Sequence, residues 1–353
     1  MKKANRVKKV IGVLLLQLAL LAGCGSSTLS VSETDSLEAE TTEEGQGIVV
    51  GFSQLGAESD WRSANTASML DAFTQDKGYT LIYKNGQQKQ SNQITAIRTF
   101  IQQDVDYILL APATESGWES VLQEAKEAKI PVILVDRRVE VVDDSLYTCW
   151  IGSDFELEAK KMAAWLKAYT EVNRIQPEEI HVVNIQGTIG STAQIGRSRG
   201  LRNAAIENGW DLMEEISGDF TETKGREVMA ALLKRFDNIN VVYCENDNEA
   251  MGAIDALESA GKKVGSNLAA GEVMVVSFDG VNEEAKELAR TGKISCIAEC
   301  NPLHGPRVEA IVTQLQSGQH PDKYNYVDEK LYSAYLPIQS IEVDGQTYEI
   351  VRP

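Results

Sequence analysis

Histidine is almost missing from this chain, with three residues in 353. That leaves little material for imidazole chemistry. Proline is scarce at 8 residues, and the balance of 43% apolar and 24% charged residues is ordinary for a globular protein. Collagen, mucin and wholly disordered classes are excluded on that ground. Positive charge is short as well: 34 Lys and Arg stand against 52 Asp and Glu, a formal net charge of −18. Residues 1–23 hold five of the bases and no acid, so without them the charge falls to −23. Such a surface excludes sequence-independent nucleic-acid binding and docking on anionic lipid through a basic patch.

Catalytic and cofactor motifs are also lacking. No G-x-x-x-x-G-K-[ST] run supports nucleotide hydrolysis. The segment Gly51-Phe52-Ser53-Gln54-Leu55-Gly56 is one residue too long for a G-x-S-x-G elbow, and no histidine completes a triad. His181 falls in a strand pattern and reads as structural. Cys149, Cys244, Cys296 and Cys300 lack zinc-ribbon spacing. They read as buried free thiols, with a Cys149–Cys300 disulfide across neighbouring hinge segments left open. No metal, no cofactor and no enzymatic activity are expected.

What is present starts with an address. A basic start leads into apolar residues 10–16 and 18–22, too short for a membrane span of ~20 residues. The run ends Leu21-Ala22-Gly23-Cys24, which looks like the lipobox of bacterial lipoproteins, with Cys24 as the lipidated first residue after removal of residues 1–23. Residues 25–46 carry six acids and no base, a flexible tether with a reach of roughly 25 Å. With Cys24 the expected tether covers residues 24–47.

From residue 48 the chain alternates strand and helix patterns. Strands are predicted at 48–52, 80–83, 107–111 and 132–135, with helices at 60–77, 90–103 and 118–128 between them. The pattern restarts with strands at 147–151, 181–185, 212–216, 241–244, 273–278 and 294–298. Helices are predicted there at 156–169, 192–208, 223–236, 249–260, 283–290 and 305–316. Near-continuous apolar strands alternating with helices imply parallel sheets covered on both faces. The number of units implies an α/β protein of two doubly wound lobes. Val343-Asp344-Gly345-Gln346 carries the Asp-Gly signal of a short hairpin.

In open parallel sheets, ligands sit beyond the carboxyl ends of the strands. Those positions hold Ser53, Gln54, Asp136, Arg137, Gln186, Asn246, Asp279 and Glu299. Trp61 and Arg62 open the first helix and Arg197 lies one turn into the helix after Gln186. Carboxylates accept hydroxyl hydrogen bonds, arginine donates a planar fork, and asparagine does both. Trp61 and Phe220 offer flat apolar faces. A polyol such as a sugar needs all of these. The plain alternative is that these residues cap helices and line solvated loops.

The same segments resemble the sugar-binding branch of the type I periplasmic binding proteins, the solute receptors of ABC importers, and within it the galactofuranose-binding type. The likeness runs through Val50-Gly51-Phe52-Ser53-Gln54, Glu58-Ser59-Asp60-Trp61-Arg62, Gly86-Gln87-Gln88-Lys89-Gln90, Leu134-Val135-Asp136-Arg137 and Gln186-Gly187-Thr188-Ile189-Gly190. It continues in Gly218-Asp219-Phe220-Thr221, Asn246-Asp247 and Asp279-Gly280, and covers residues 48–337. The resemblance implies two lobes, 48–150 with 301–330 and 151–300 with 331–353, joined by crossings near 149–153, 300–301 and 330–333. It implies sugar contacts from Asp136 and Arg137 in the first lobe, and from Arg197, Asn246 and Asp279 in the second. Phe220 would stack on the sugar, Glu299 would make a hinge contact, and Glu58, Trp61 and Arg62 would add the contacts of the galactofuranose type. Asp60 departs from an expected glycine, and Glu299-Cys300-Asn301-Pro302 from the usual threonine before proline. The implied protein is a monomeric, lipid-anchored extracytoplasmic receptor that binds a monosaccharide and delivers it to an ABC permease. The alternative is a sensory subunit that presents the sugar to a membrane histidine kinase or chemoreceptor.

Overall fold

The structure, a computed structural model, describes residues 47–353. The expected signal peptide, Cys24 and residues 25–46 of the tether lie outside the described residues. Lobe one begins with strands β1 (Ile48–Gln54), β2 (Tyr79–Asn85), β3 (Tyr107–Leu110), β4 (Val132–Val135) and β5 (Cys149–Gly152). Helices α1 (Asp60–Ala72), α2 (Gln90–Gln102) and α3 (Glu119–Glu127) alternate with them. Lobe two contains β6 (His181–Gln186), β7 (Asp211–Ser217), β8 (Val241–Cys244), β9 (Lys263–Val264), β10 (Glu272–Asp279) and β11 (Ile294–Glu299). Its helices are α4 (Phe155–Asn173), α5 (Thr192–Asn208), α6 (Glu222–Arg235), α7 (Asp247–Ser259) and α8 (Glu283–Arg290). The chain then returns to lobe one for α9 (Gly305–Gln316) and β12 (Tyr324–Tyr326). It ends in lobe two with β13 (Leu331–Tyr332), β14 (Ser340–Val343) and β15 (Gln346–Val351).

The first sheet has the order β12-β5-β4-β3-β1-β2, and every pair in it is parallel. The second runs β14-β15-β13-β11-β10-β8-β6-β7, with β9 added on β10. Strands β4 (Val-Ile-Leu-Val) and β8 (Val-Val-Tyr-Cys) are buried along their whole length, as expected for strands with helices on both faces. Each sheet therefore carries two apolar cores, one per face. Gly51 lets α2 close on β1: a Cβ there would stand 2.5 Å from the Phe100 ring. The tail hairpin pairs Val343 with Gln346 around Asp344 (φ +53°) and Gly345 (φ +79°), a turn with both central residues left-handed.

One expected boundary differs. Lobe one is expected to end at residue 150, yet Ile151 and Gly152 still pair with Asn325 and Tyr326 of β12. The chain passes from β12 to β13 over residues 327–330. A three-residue edge strand of polar and aromatic residues such as β12 carries no periodic signal, so its pairing with β5 is not marked in the sequence.

Candidate functional site

Three helices that open on the cleft, α1, α5 and α7, start with a capped turn after a strand. Ser59 caps α1 by accepting from Arg62 N at 3.2 Å, Ser191 caps α5, and Asn246 caps α7. The caps bring Arg62, Arg197 and Phe220 toward one space. On the lobe-one side, Arg62 Nη2 donates to Asp136 Oδ2 at 2.5 Å and Nε donates to Glu58 Oε1 at 3.2 Å. Arg137 Nη2 reaches the same Glu58 oxygen at 3.3 Å, and its Nη1 donates to the Ala113 carbonyl at 3.0 Å. All four side chains are nearly fully buried. Arg62 thus pairs with Glu58 inside the protein, although it stands at a helix start. Burial pulls the Arg62 guanidinium down, and Asp136 and Glu58 together outweigh it, so the group ends above its usual value. Arg137 ends lower, at about 10, because burial and the adjacent Arg62 prevail over the two carboxylates. Asp136 holds φ +66°, a left-handed conformation that aspartate tolerates, and Trp150 Nε1 fixes its carbonyl at 2.9 Å.

Lobe two supplies one arginine. Arg197 Nε donates to Glu158 Oε2 at 2.8 Å, Nη2 to Asp279 Oδ1 at 3.4 Å, and Nη1 to the Glu245 carbonyl. Its guanidinium also lies 4.7 Å from the Phe278 ring centre. Burial pushes the Asp279 carboxyl well above the carboxylate range against the pull of Arg197. Glu158 is raised for the same reason. Asn246 Nδ2 donates to the Phe220 carbonyl at 3.1 Å while its Oδ1 accepts from Glu249 N at 2.8 Å. Phe220 itself sits at φ +61° with its ring 5.5 Å from the Arg137 guanidinium.

Together these residues line a narrow cavity of about 20 Å³ between the lobes, room for little more than one water molecule with the cleft shut this tightly. Of the residues expected at the site, Glu58, Trp61, Arg62, Asp136, Arg137, Arg197, Phe220, Asn246 and Asp279 line it. Ser53, Gln54 and Glu299 do not. Gln54 Nε2 donates to Asn65 and Thr66 at 3.0 and 3.1 Å, and Ser53 Oγ accepts from Gln93 at 3.5 Å, so both hold helices onto β1. Glu299 accepts from Lys330 N at 3.0 Å and from Asn301 at 3.3 Å, tying two crossings together. A residue just past a strand can turn toward the cleft or back into its own lobe, and sequence position alone does not distinguish the two.

Ser59, Phe155, Ala193 and Cys300 also line the cavity and were not expected at the site. Trp61, Phe155, Ala193, Phe220 and Cys300 form an apolar cluster that crosses the cleft, and Trp61 Nε1 donates to the Cys300 carbonyl at 2.6 Å. Asp60 bonds Asn248 and Asn282 from across the cleft, so the lobes stand closed. Around the cavity, Glu58 Oε2, Arg62 Nη1 and Arg137 Nε are buried without a protein partner. Unpaired donors and acceptors of that kind between aromatic planes suit a small polyhydroxylated ring. The four cysteines are free and buried, so the Cys149–Cys300 disulfide does not form. Glu158, Cys300 and Glu329 bring one metal-ligand-type atom each to within 4.8 Å at the hinge. Their carboxylates are already engaged, by Arg197 on Glu158 and by Ser153 and Asn301 on Glu329. His181 pairs with Asp211 at 3.0 Å on the far side of lobe two.

Residues 50–332 match the family described as the periplasmic binding protein domain. The galactofuranose-binding protein YtfQ of Escherichia coli K12 is 39% identical over 291 residues, covering 81% of this chain and 87% of that protein. A solved protein from Mycobacterium smegmatis in complex with β-D-fucofuranose is 34% identical with a TM-score of 0.75, covering 82% of this chain and 94% of that one. The arabinose-transporter binding protein from Shewanella sp. ANA-3, bound to L-arabinofuranose, is 34% identical with a TM-score of 0.73, covering 80% and 91%. These relatives are sugar-binding proteins and not enzymes. Among the described residues no helix is long and apolar enough to cross a membrane.

Proposed function

The chain belongs to the periplasmic binding protein domain family, and from that premise we propose that it is a lipid-anchored receptor that closes on one furanose sugar and delivers it to an ABC permease. The observation that carries this reading is the pair of opposed polar faces. Arg62, Asp136 and Arg137 of lobe one and Arg197 and Asp279 of lobe two meet around one cavity. A sugar between them would satisfy both faces only in the closed form, so binding favours closure. The sugars bound by the 34%-identical solved relatives are furanoses, which supports a five-membered ring here. Arg62, with Nη1 free of protein partners, would hold the exocyclic hydroxyls that a hexofuranose has and a pentose lacks. Cys24 supplies the lipid attachment, and the acidic tether lets the lobes reach the permease.

Titration calorimetry with D-galactose, L-arabinose, D-ribose and D-glucose tests the sugar. One site per chain and preference for galactose or arabinose are expected; no heat from any of the four contradicts the reading. Uptake of the radiolabelled sugar in a strain lacking the gene tests delivery. Lost uptake is expected, and unchanged uptake with a lost transcriptional response would assign the receptor to sensing.

A further inference from the structure

Phe220 presents its ring to the cleft from a backbone conformation that bulky residues seldom adopt. Its φ is +61° and that of Asp219 before it is +52°. Such a residue persists only where its surroundings over-determine it. Here both ends of its backbone are held from the start of α7. The Phe220 N–H donates to Glu249 Oε1 at 2.9 Å, and its carbonyl accepts from Asn246 Nδ2 at 3.1 Å. Asn246 is the N-cap of α7 and Glu249 lies three residues on, its own N–H donating to Asn246 Oδ1. In a capping box the carboxylate at this third position turns back to the N–H of the cap residue. In this protein it is diverted to Phe220.

Two glycines make room for the arrangement. A Cβ on Gly187 would stand 1.9 Å from Phe220 Cζ, and one on Gly218 would stand 2.7 Å from Glu249 Oε1. Neither glycine has a positive φ, so both serve close approach and not a turn. Glu249 is fully buried, does not line the cavity, and has no partner for its second oxygen.

We infer that Glu249 is a positioning residue for ligand binding: with Asn246 it holds Phe220 in its left-handed conformation, and so sets the ring against the sugar and against Arg137 without touching the ligand. The inference rests on the sugar-binding reading of the cleft. The ring has a second task there, since the Arg137 guanidinium from lobe one lies over it with Nε unpartnered. A misplaced ring would weaken both the stacking face and the closed contact. Burial, with Glu245 nearby, pushes the Glu249 carboxyl well above the carboxylate range. The bond from Phe220 N needs only an acceptor oxygen at that place, and a glutamine supplies one.

The test is a cycle of Glu249→Ala, Phe220→Ala and the double variant, with Glu249→Gln as the conservative control, each in the full chain. Titration with D-galactose and L-arabinose should show Glu249→Ala about tenfold weaker and Glu249→Gln within about threefold of the parent. In the Phe220→Ala background, Glu249→Ala should add less than about twofold, because its effect runs through the ring. Losses that multiply in the double variant would overturn the inference. Hydrogen exchange at the Phe220 amide, measured without sugar, gives an arm that needs no ligand. Protection is expected in the parent and in Glu249→Gln and should be lost in Glu249→Ala, while β8 stays protected. Exchange in the parent as fast as at exposed Glu222 would overturn the inference even if Glu249→Ala fails to fold. If the parent binds neither sugar, the sugar-binding reading fails, and with Phe220 still protected only the backbone clamp stands.

Discussion

The two faces of the cleft solve burial of charge in different ways. Lobe one sets two arginines against two carboxylates, Arg62 and Arg137 against Glu58 and Asp136, in a compact and balanced network. Lobe two gathers Glu158, Glu245, Glu249 and Asp279 around Arg197 alone. Burial dominates there, and all four carboxyls titrate above their usual range. The difference teaches that the same strand-to-helix junction can bury a balanced set of charges on one side and an excess of acids around a single cation on the other.

The largest expected effect separates the two arginines. Arg197→Ala removes the one cation among the lobe-two carboxyls and the donor to the Glu245 carbonyl. Breaking a buried pair of this kind costs about 3–5 kcal/mol, or on the order of 10 °C in melting temperature. Arg62→Ala should cost clearly less stability, because Arg137 still faces Glu58 and Asp136. Calorimetric melting of both variants checks this, and equal losses would break the comparison.

Sugar affinity sharpens it next. Asp136→Asn replaces a charged acceptor and should weaken binding about 10- to 150-fold. Asp279→Asn should cost less than about tenfold, because Arg197 beside it still offers a charged donor to a ligand hydroxyl. The order of the two losses, read by titration calorimetry, carries the distinction.

The pH dependence of stability is a smaller effect. Burial pushes Glu245 up to about 7 and Asp247 up to about 6. Both acids bind a proton more tightly folded than unfolded. Their contribution is complete below the unfolded values and is lost as pH rises through about 6 and about 7. His304, held down to about 4 by burial against an ordinary 6.5, acts in the opposite sense and loses stability as pH falls through that interval. Urea unfolding should therefore show a net fall of about 1 kcal/mol between pH 6 and pH 8. A rise over that range would contradict the upward shifts of Glu245 and Asp247.

The smallest effect lies at the mouth. Asp60 bonds Asn248 and Asn282 across the cleft while itself exposed. Asp60→Gly should weaken every sugar alike, by about threefold, since exposed polar contacts contribute little. A change in the ratio between galactose and arabinose would mean that Asp60 touches the ligand.

Much of the fold was legible because buried parallel strands are written as unbroken apolar runs: Val241–Cys244 of β8 and the helices at 192–208 and 283–290 match their expected limits. Strands β12 and β13 were not, being two or three residues long and partly polar. At the site, Asp136, Arg137 and Asp279 stood out because charge directly after an apolar strand is conspicuous. Ser53 and Gln54 shared that position and turned inward. Cys300, Ala193 and Phe155 reach the cavity only through lobe closure, which no local pattern encodes. Glu249 was hidden as the third residue of a helix, where an acid ordinarily just favours the helix start.

The most direct measurement is a crystal structure of the protein grown with D-galactose. The account predicts one furanose ring in the cleft against Phe220, hydrogen-bonded to Asp136 from lobe one and to Asp279 or Arg197 from lobe two. A closed cleft without sugar, or a sugar held by one lobe alone, would contradict it.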